Sequence, residues 1–214
     1  MSWDLPSINE TLKDMDALDV VRWTVARSGG KVICSTNFRP QEAVILHLAT
    51  QVMPEMTILW ADTGYALPET YRFAERLISH LDLQMHITNP RMTRPRWEAL
   101  YGEAPLVDEE EAHAAFTEHV KIEPFHRGLA DLAPRIWLTA IRQDQTDFRA
   151  GLNVASEGPG GVLRVSPVFR WTDEDMKSYL AEHNLPDEPI YFDPTKAETR
   201  RECGLHLPGG ETAD

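Results

Sequence analysis

The sequence predicts a single α/β domain built on a mostly parallel sheet with helices on both faces. Three observations carry that prediction. The chain has 214 residues, of which 42% are hydrophobic, enough for one full-sized core. Short apolar runs alternate with longer amphipathic segments, the pattern of successive βαβ units. Polar, glycine- and proline-bearing turns separate the two kinds of segment, and no internal repeat or low-complexity stretch interrupts them.

Residues 9–28 read as one amphipathic helix that stops at Gly29-Gly30, where glycine supplies a C-cap. Lys31–Cys34 (KVIC) is a short buried-strand signal, and Ser35–Gln41 follows as a polar turn. A helix then runs from about Glu42 to Met53, apolar along one side, and leads into a second strand at Met56–Trp60. Asp62-Thr63-Gly64 is a turn, and Pro68 opens the next helix at a position where its missing N–H costs little. Further strands are expected at 83–87, 135–141 and 162–168, and a helix at Thr172–His183 in which Thr172 and Asp175 form a capping pair. Residues 90–120 are weakly patterned and read as a mobile excursion over one sheet edge. Residues 1–199 are expected to form the ligand-binding domain and residues 200–214 a flexible tail.

Composition narrows the function. A net charge of −13 repels nucleic acid and anionic membrane surfaces, so any polyanion must bind in a local basic pocket. There is no apolar run long enough to span a bilayer, and the start of the chain lacks the basic and apolar regions of a signal peptide, so a cytoplasmic protein is expected. Two cysteines, Cys34 and Cys203, are too few for a disulfide framework or an all-cysteine iron–sulfur site. The eight histidines show no HExxH-type spacing, so no metal site is predicted.

Ligands of parallel sheets bind at the carboxyl ends of strands, and three motifs sit at such ends. Ser35, Thr36 and Asn37 lie in a polar turn before a helix, where hydroxyls and backbone N–H groups can hold a phosphate; the same residues also suit an ordinary helix cap. Asp62, with Thr63 and Gly64, could accept hydrogen bonds from a base or ribose, or form a simple helix-entry turn. Arg142 and Arg149 offer planar bidentate donors for phosphate or sulfate, with Gln145 as a neutral donor; their alternative is ion pairing with Asp144 and Asp147. In the tail, Cys203 stands among Glu202, Gly204 and His206 with Arg200 and Arg201 just before it. Positive neighbours raise the thiolate fraction, which suits a nucleophile. Cys34, inside an apolar strand, reads as a small packed hydrophobe.

In their order and spacing these motifs resemble the phosphoadenylyl-sulfate and adenylyl-sulfate reductase family, in its cluster-free, thioredoxin-dependent form. STNFRPQEAV resembles the family's modified phosphate loop of the SSSFGxQ type, and DTGYALPETYRF its DTGxxFPETYxF stretch. KIEPFHRG, which begins at Lys121, is similar to KxxPxxRAL; RQDQTDFR fits R-x-x-Q-x-x-x-R; ECGLH is the family's most diagnostic motif. The resemblance spans roughly residues 20–206. It implies an adenine nucleotide alpha hydrolase-like fold and a substrate-binding role for Lys121 as well as for the three motifs above. It implies that Cys203 attacks the sulfur of the sulfonucleotide, and that thioredoxin or glutaredoxin resolves the resulting S-sulfonate to sulfite. The absence of the additional CC and CxxC pairs implies that no iron–sulfur cluster is bound and that the 3′-phosphorylated substrate is preferred.

The chain departs from the family pattern where Arg39-Pro40 replaces the loop glycine, in the short Tyr191–Arg201 segment before ECGLH, and in having little sequence after His206. Two alternatives remain open: an ATP pyrophosphatase-type adenylyltransferase, which would need an SGGxDS loop, and a nucleotide- or redox-binding relative without turnover. The sequence does not fix the oligomeric state and leaves a homodimer open.

Overall fold

The computed structural model describes residues 3–196. Among these, six strands form one sheet: β1 (Val32–Thr36), β2 (Thr57–Ala61), β3 (Gln84–Thr88), β4 (Ile136–Leu138), β5 (Ala155–Glu157) and β6 (Leu163–Val165). Their spatial order is β3-β2-β1-β4-β6-β5, and only the β5–β6 pairing is antiparallel. The register aligns Cys34 with Ile58 on one side and Leu138 on the other. Connections run outward from β1 to β3 and then return to β4 on its far side, so the topological switch point lies between the carboxyl ends of β1 and β4.

Strand periodicity sorts the core into two layers. Cys34, Ile58, Trp60, Ile136 and Leu138 face the larger cluster, built with helices α1 (Leu5–Leu12), α2 (Ala17–Ser28), α3 (Ala43–Val52), α4 (Pro68–Leu81) and, near the carboxyl end, Asp173–Glu182. Ile33, Leu59 and Trp137 face the opposite side, where Phe125 and Leu129 of a helix over Glu123–Leu132 cover them. Gly128 allows that helix to approach closely: a Cβ there would lie 2.5 Å from Leu59 Cδ1 and 3.1 Å from Thr88 Cγ2. No helix among the described residues is long and apolar enough to cross a membrane.

The structure differs from the expectations at four places. The single helix over 9–28 is two, because Asp16 (φ −70°, ψ 167°) leaves the helical region and its carboxylate accepts the Asp19 N–H at 2.8 Å, capping α2 afresh. The excursion over 90–120 contains α5 (Arg94–Tyr101) and α6 (Glu110–Thr117). Phe116 fixes it by packing edge-on to Tyr65 and Trp97, with ring centroids 5.1 and 5.6 Å away. Strand β5 has the sequence Ala-Ser-Glu, too short and polar to give an apolar signal. The predicted strands at 135–141 and 162–168 exist but are shorter, three residues each in β4 and β6.

Candidate active site

The carboxyl ends of β1 and β4 open into a cleft of about 620 Å³. Four cationic side chains, Arg39, Lys121, Arg149 and Lys196, line it with one carboxylate, Glu42. In a chain of net charge −13 this is a local reversal of sign, the expected setting for an anionic ligand. A second cavity of about 330 Å³ adjoins it, sharing Asn37, Ala61 and Lys121 and reaching Asp62 and Thr63.

The β1–α3 loop forms the first wall. Phe38 (φ 53°) and Gln41 (φ 69°) are non-glycine residues in left-handed conformations, a strain that persists where the surroundings hold the loop. Phe38 is 1% exposed and packs edge-on to Trp60 with ring centroids 4.8 Å apart. Arg39, which replaces the family glycine, is not itself left-handed; its Nε lies 3.0 Å from Glu42 Oε1 and its Nη2 donates to the Ala140 carbonyl at 3.3 Å. Ser35 Oγ accepts the Trp137 indole N–H at 2.8 Å, and both residues line the cleft.

The two arginines read together in the sequence are separated by the fold. Arg149, 2% exposed, lines the cleft from the short helix α8 (Asp147–Ala150), which Thr146 caps. Gln145 accepts from Arg149 Nη1 and, at 3.2 Å, from the Arg142 N–H, so its amide oxygen holds a guanidinium in place and is already engaged. Arg142 does not line the cleft. Its Nε meets Asp144 at 3.0 Å and its Nη1 donates to Gln41 Oε1 at 2.6 Å, making it a buried brace between two loops.

Lys121 is carried by a π-helical turn, Glu118–Ile122, between α6 and α7 (Glu123–Leu132). The Glu123 N–H reaches back five residues to the Glu118 carbonyl. Pro124, which has no N–H to donate, follows directly and prevents an ordinary helical ladder there. The widened turn buries Lys121 to 5% exposure, where its Nζ donates to Asp193 Oδ2 at 2.5 Å and to Thr195 Oγ1 at 3.0 Å. Burial alone would raise the Asp193 carboxyl, but the Lys121 ammonium and the Thr195 hydroxyl and N–H outweigh it and hold it at about 2. Asp193 thus straps the segment after α9 (Asp173–Glu182) across the strand ends. The Asp187 carboxylate accepts the Gln41 N–H at 2.7 Å at the start of that strap, and His113 Nε2 lies 3.2 Å from the Pro194 carbonyl near its end.

Asp62 is occupied within its own turn. Oδ1 accepts from the Gly64 N–H at 3.0 Å and the Tyr71 hydroxyl at 2.7 Å, and Oδ2 from Asn89 at 3.3 Å. Burial, then the hydrogen bond to Asp62, pushes the Tyr71 hydroxyl well above its ordinary range. Thr63 Oγ1 likewise accepts the Tyr65 N–H at 3.2 Å. Cys34 is fully buried, and burial followed by the nearby Glu42 charge pushes its thiol far up, which removes it as a nucleophile. Among the described residues no group of three or more His, Cys, Asp or Glu side chains is arranged to hold a metal. Cys203, Glu202, Gly204, His206, Arg200 and Arg201 lie outside the described residues. Glu42, Asp193 and Lys196 were not singled out from the sequence. Glu42 reads there as part of a helix, and the other two follow the last helix without a local pattern.

The fold and site together define an α/β protein of the adenine nucleotide alpha hydrolase-like class with a cation-lined cleft at its switch point. A sequence model of the phosphoadenosine phosphosulfate reductase domain matches residues 31–195. Phosphoadenosine 5′-phosphosulfate reductases of Synechococcus sp. and Vibrio atlanticus are similar to the chain at 33% and 34% identity; the alignments cover 95% and 97% of this chain and 97% and 88% of theirs. A crystal structure of phosphoadenylyl-sulfate reductase from Candida auris, in a phosphate complex, superposes with a TM-score of 0.76 at 22% identity over 87% of this chain and 90% of that one. The chain belongs to the phosphoadenosine phosphosulfate reductase family and is an oxidoreductase.

Proposed function

We propose that the protein reduces a sulfonucleotide to sulfite and an adenosine phosphate in assimilatory sulfate reduction, with the 3′-phosphorylated nucleotide preferred over adenylyl sulfate. The observation that carries this reading is the convergence of Lys121, Arg149 and Lys196 in one cleft at the switch point of a strongly acidic chain. A phosphosulfate is a compact polyanion, and fixed cations at short range bind and orient it without reorganising. Family membership supplies the reaction class.

Cys203 is the nucleophile of this reading. Its thiolate attacks the sulfur atom, the bond from that sulfur to the bridging phosphate oxygen breaks, and the nucleotide leaves as a stable anion. A thiolate of a thioredoxin- or glutaredoxin-type dithiol then attacks Cys203 Sγ and displaces sulfite. The donor's second thiol resolves the mixed disulfide, so the donor supplies both electrons. No bound cofactor takes part, and the reaction belongs to the cytoplasm. Reach favours the assignment: Cys203 stands seven positions after Lys196, a cleft residue, and seven residues span at most about 25 Å. In this scheme residues 1–199 bind nucleotide and residues 200–214 carry the thiol between substrate and reductant.

Cys203→Ser tests it. The variant should bind nucleotide as the parent does and release no sulfite in the presence of thioredoxin and its reductase. Sulfite release at the parent rate would remove Cys203 from the chemistry.

A further inference from the structure

The β1–α3 loop has the donors of a phosphate cradle, but an internal carboxylate already occupies them. Glu42, 6% exposed, accepts the Thr36 hydroxyl at 2.6 Å and the Asn37 N–H at 2.8 Å through Oε2, and its Oε1 lies 3.0 Å from Arg39 Nε. The Asn37 amide, oriented with its nitrogen toward the carboxylate (3.0 and 3.1 Å), accepts the Tyr191 hydroxyl at 2.9 Å on its oxygen. Hydroxyl, backbone N–H, amide and guanidinium therefore converge on one negative group that lines the cleft. Its place just before the first turn of α3 adds the favourable end of the helix dipole.

We propose that Glu42 is a specificity-determining residue of the cleft: its carboxylate acts as a built-in counter-anion that keeps phosphate groups out of the β1–α3 loop. The proposal rests on the cleft binding a phosphate-bearing nucleotide, as argued above. A phosphate or sulfate entering the loop must displace Glu42 or lie against it, and two anions at hydrogen-bonding range in a partly dehydrated site repel strongly. The anionic groups of the ligand are therefore held by Lys121, Arg149 and Lys196 across the cleft. Glu42 neutralises Arg39 and moderates the affinity of the loop itself for anions.

The test uses binding alone, so it is independent of whether the protein turns over sulfonucleotides. Inorganic pyrophosphate, AMP and adenosine are titrated calorimetrically into the full-length chain and into Glu42→Gln. That variant removes the charge and keeps an oxygen that can accept from Thr36 and Asn37. The expected result is a gain of about tenfold or more for pyrophosphate, which shrinks at high salt, with adenosine unchanged. A purely structural role for Glu42 predicts the opposite, a loop that loosens and binds pyrophosphate no better or more weakly, and that outcome overturns the proposal. Glu42→Ser, which removes the carboxylate but retains an acceptor, gives the same reading should Glu42→Gln melt below the assay temperature. Sulfite release by the parent, measured separately, reports on the reductase reading and leaves the pyrophosphate result standing.

Discussion

The Lys121 ammonium and the Asp193 carboxylate meet at 2.5 Å, both nearly excluded from solvent, across 72 positions of sequence. This pair ties the π-helical turn before α7 to the strap that follows α9, and both border the cleft. Losing Asp193 leaves a buried ammonium without its counter-ion, so Asp193→Ala should cost about 3–5 kcal/mol of unfolding free energy. The pH dependence follows in sign. The folded-state carboxyl is held at about 2, below its ordinary 3.8. The pair's contribution is therefore fully present above about pH 4 and is lost as pH falls toward 2, by roughly 2 kcal/mol. Urea unfolding between pH 2 and pH 6 should show a stability loss on acidification in the parent that is smaller in Asp193→Asn.

The two arginines of the RQDQTDFR motif should separate by experiment. Arg149→Ala, which empties a cleft position, should weaken nucleotide binding by about 1.5–3 kcal/mol, the range for a charge-assisted hydrogen bond. Arg142→Ala should mainly lower the melting temperature, because it leaves Asp144 and Gln41 without their brace. Calorimetric titration and thermal unfolding on both variants check this; equal losses of affinity with no change in melting would contradict the division.

Cys34 should be silent toward thiol reagents while the protein is folded. Its side chain is fully buried and its thiol is pushed far up by burial and then by Glu42. Iodoacetamide should leave Cys34 unlabelled under native conditions and label it after denaturation, as peptide mapping would show. Cys34→Ala should cost about 1–2 kcal/mol as a small core cavity and leave nucleotide binding intact.

Gly128 offers a packing test. Adding one methyl group at this position brings it within 2.5 Å of Leu59 Cδ1, in a layer already filled by Phe125, Leu129 and Trp137. Gly128→Ala should destabilise the fold by about 1–3 kcal/mol despite alanine's better helix propensity. A gain in stability would mean that the α7–sheet spacing relaxes easily.

The sheet was legible where the signal is local. Val32–Thr36 and Thr57–Ala61 are apolar runs closed by polar turns, and β1 through β3 follow the expected order. The Thr172–Asp175 capping box is present as its spacing predicts. What stayed hidden depends on partners distant in sequence. Nothing near Asp193 marks it as the counter-ion of Lys121, and nothing in RQDQTDFR tells which arginine faces the cleft. Glu42 looks like the first residue of an amphipathic helix until the loop folds back on it. The break at Asp16 was missed because hydrophobic periodicity continues through it, whereas its capping carboxylate is a one-residue signal.

The central claim is that the cleft presents a sulfonucleotide to Cys203 for sulfur transfer. Intact-protein mass spectrometry after incubation with phosphoadenylyl sulfate or adenylyl sulfate, without reductant, tests it most directly. The account predicts an added mass of about 80 Da, one sulfonate, mapped to Cys203, larger in yield with the 3′-phosphorylated nucleotide and lost when thioredoxin is added. Unmodified protein with either nucleotide, in a chain that still binds both, would contradict it.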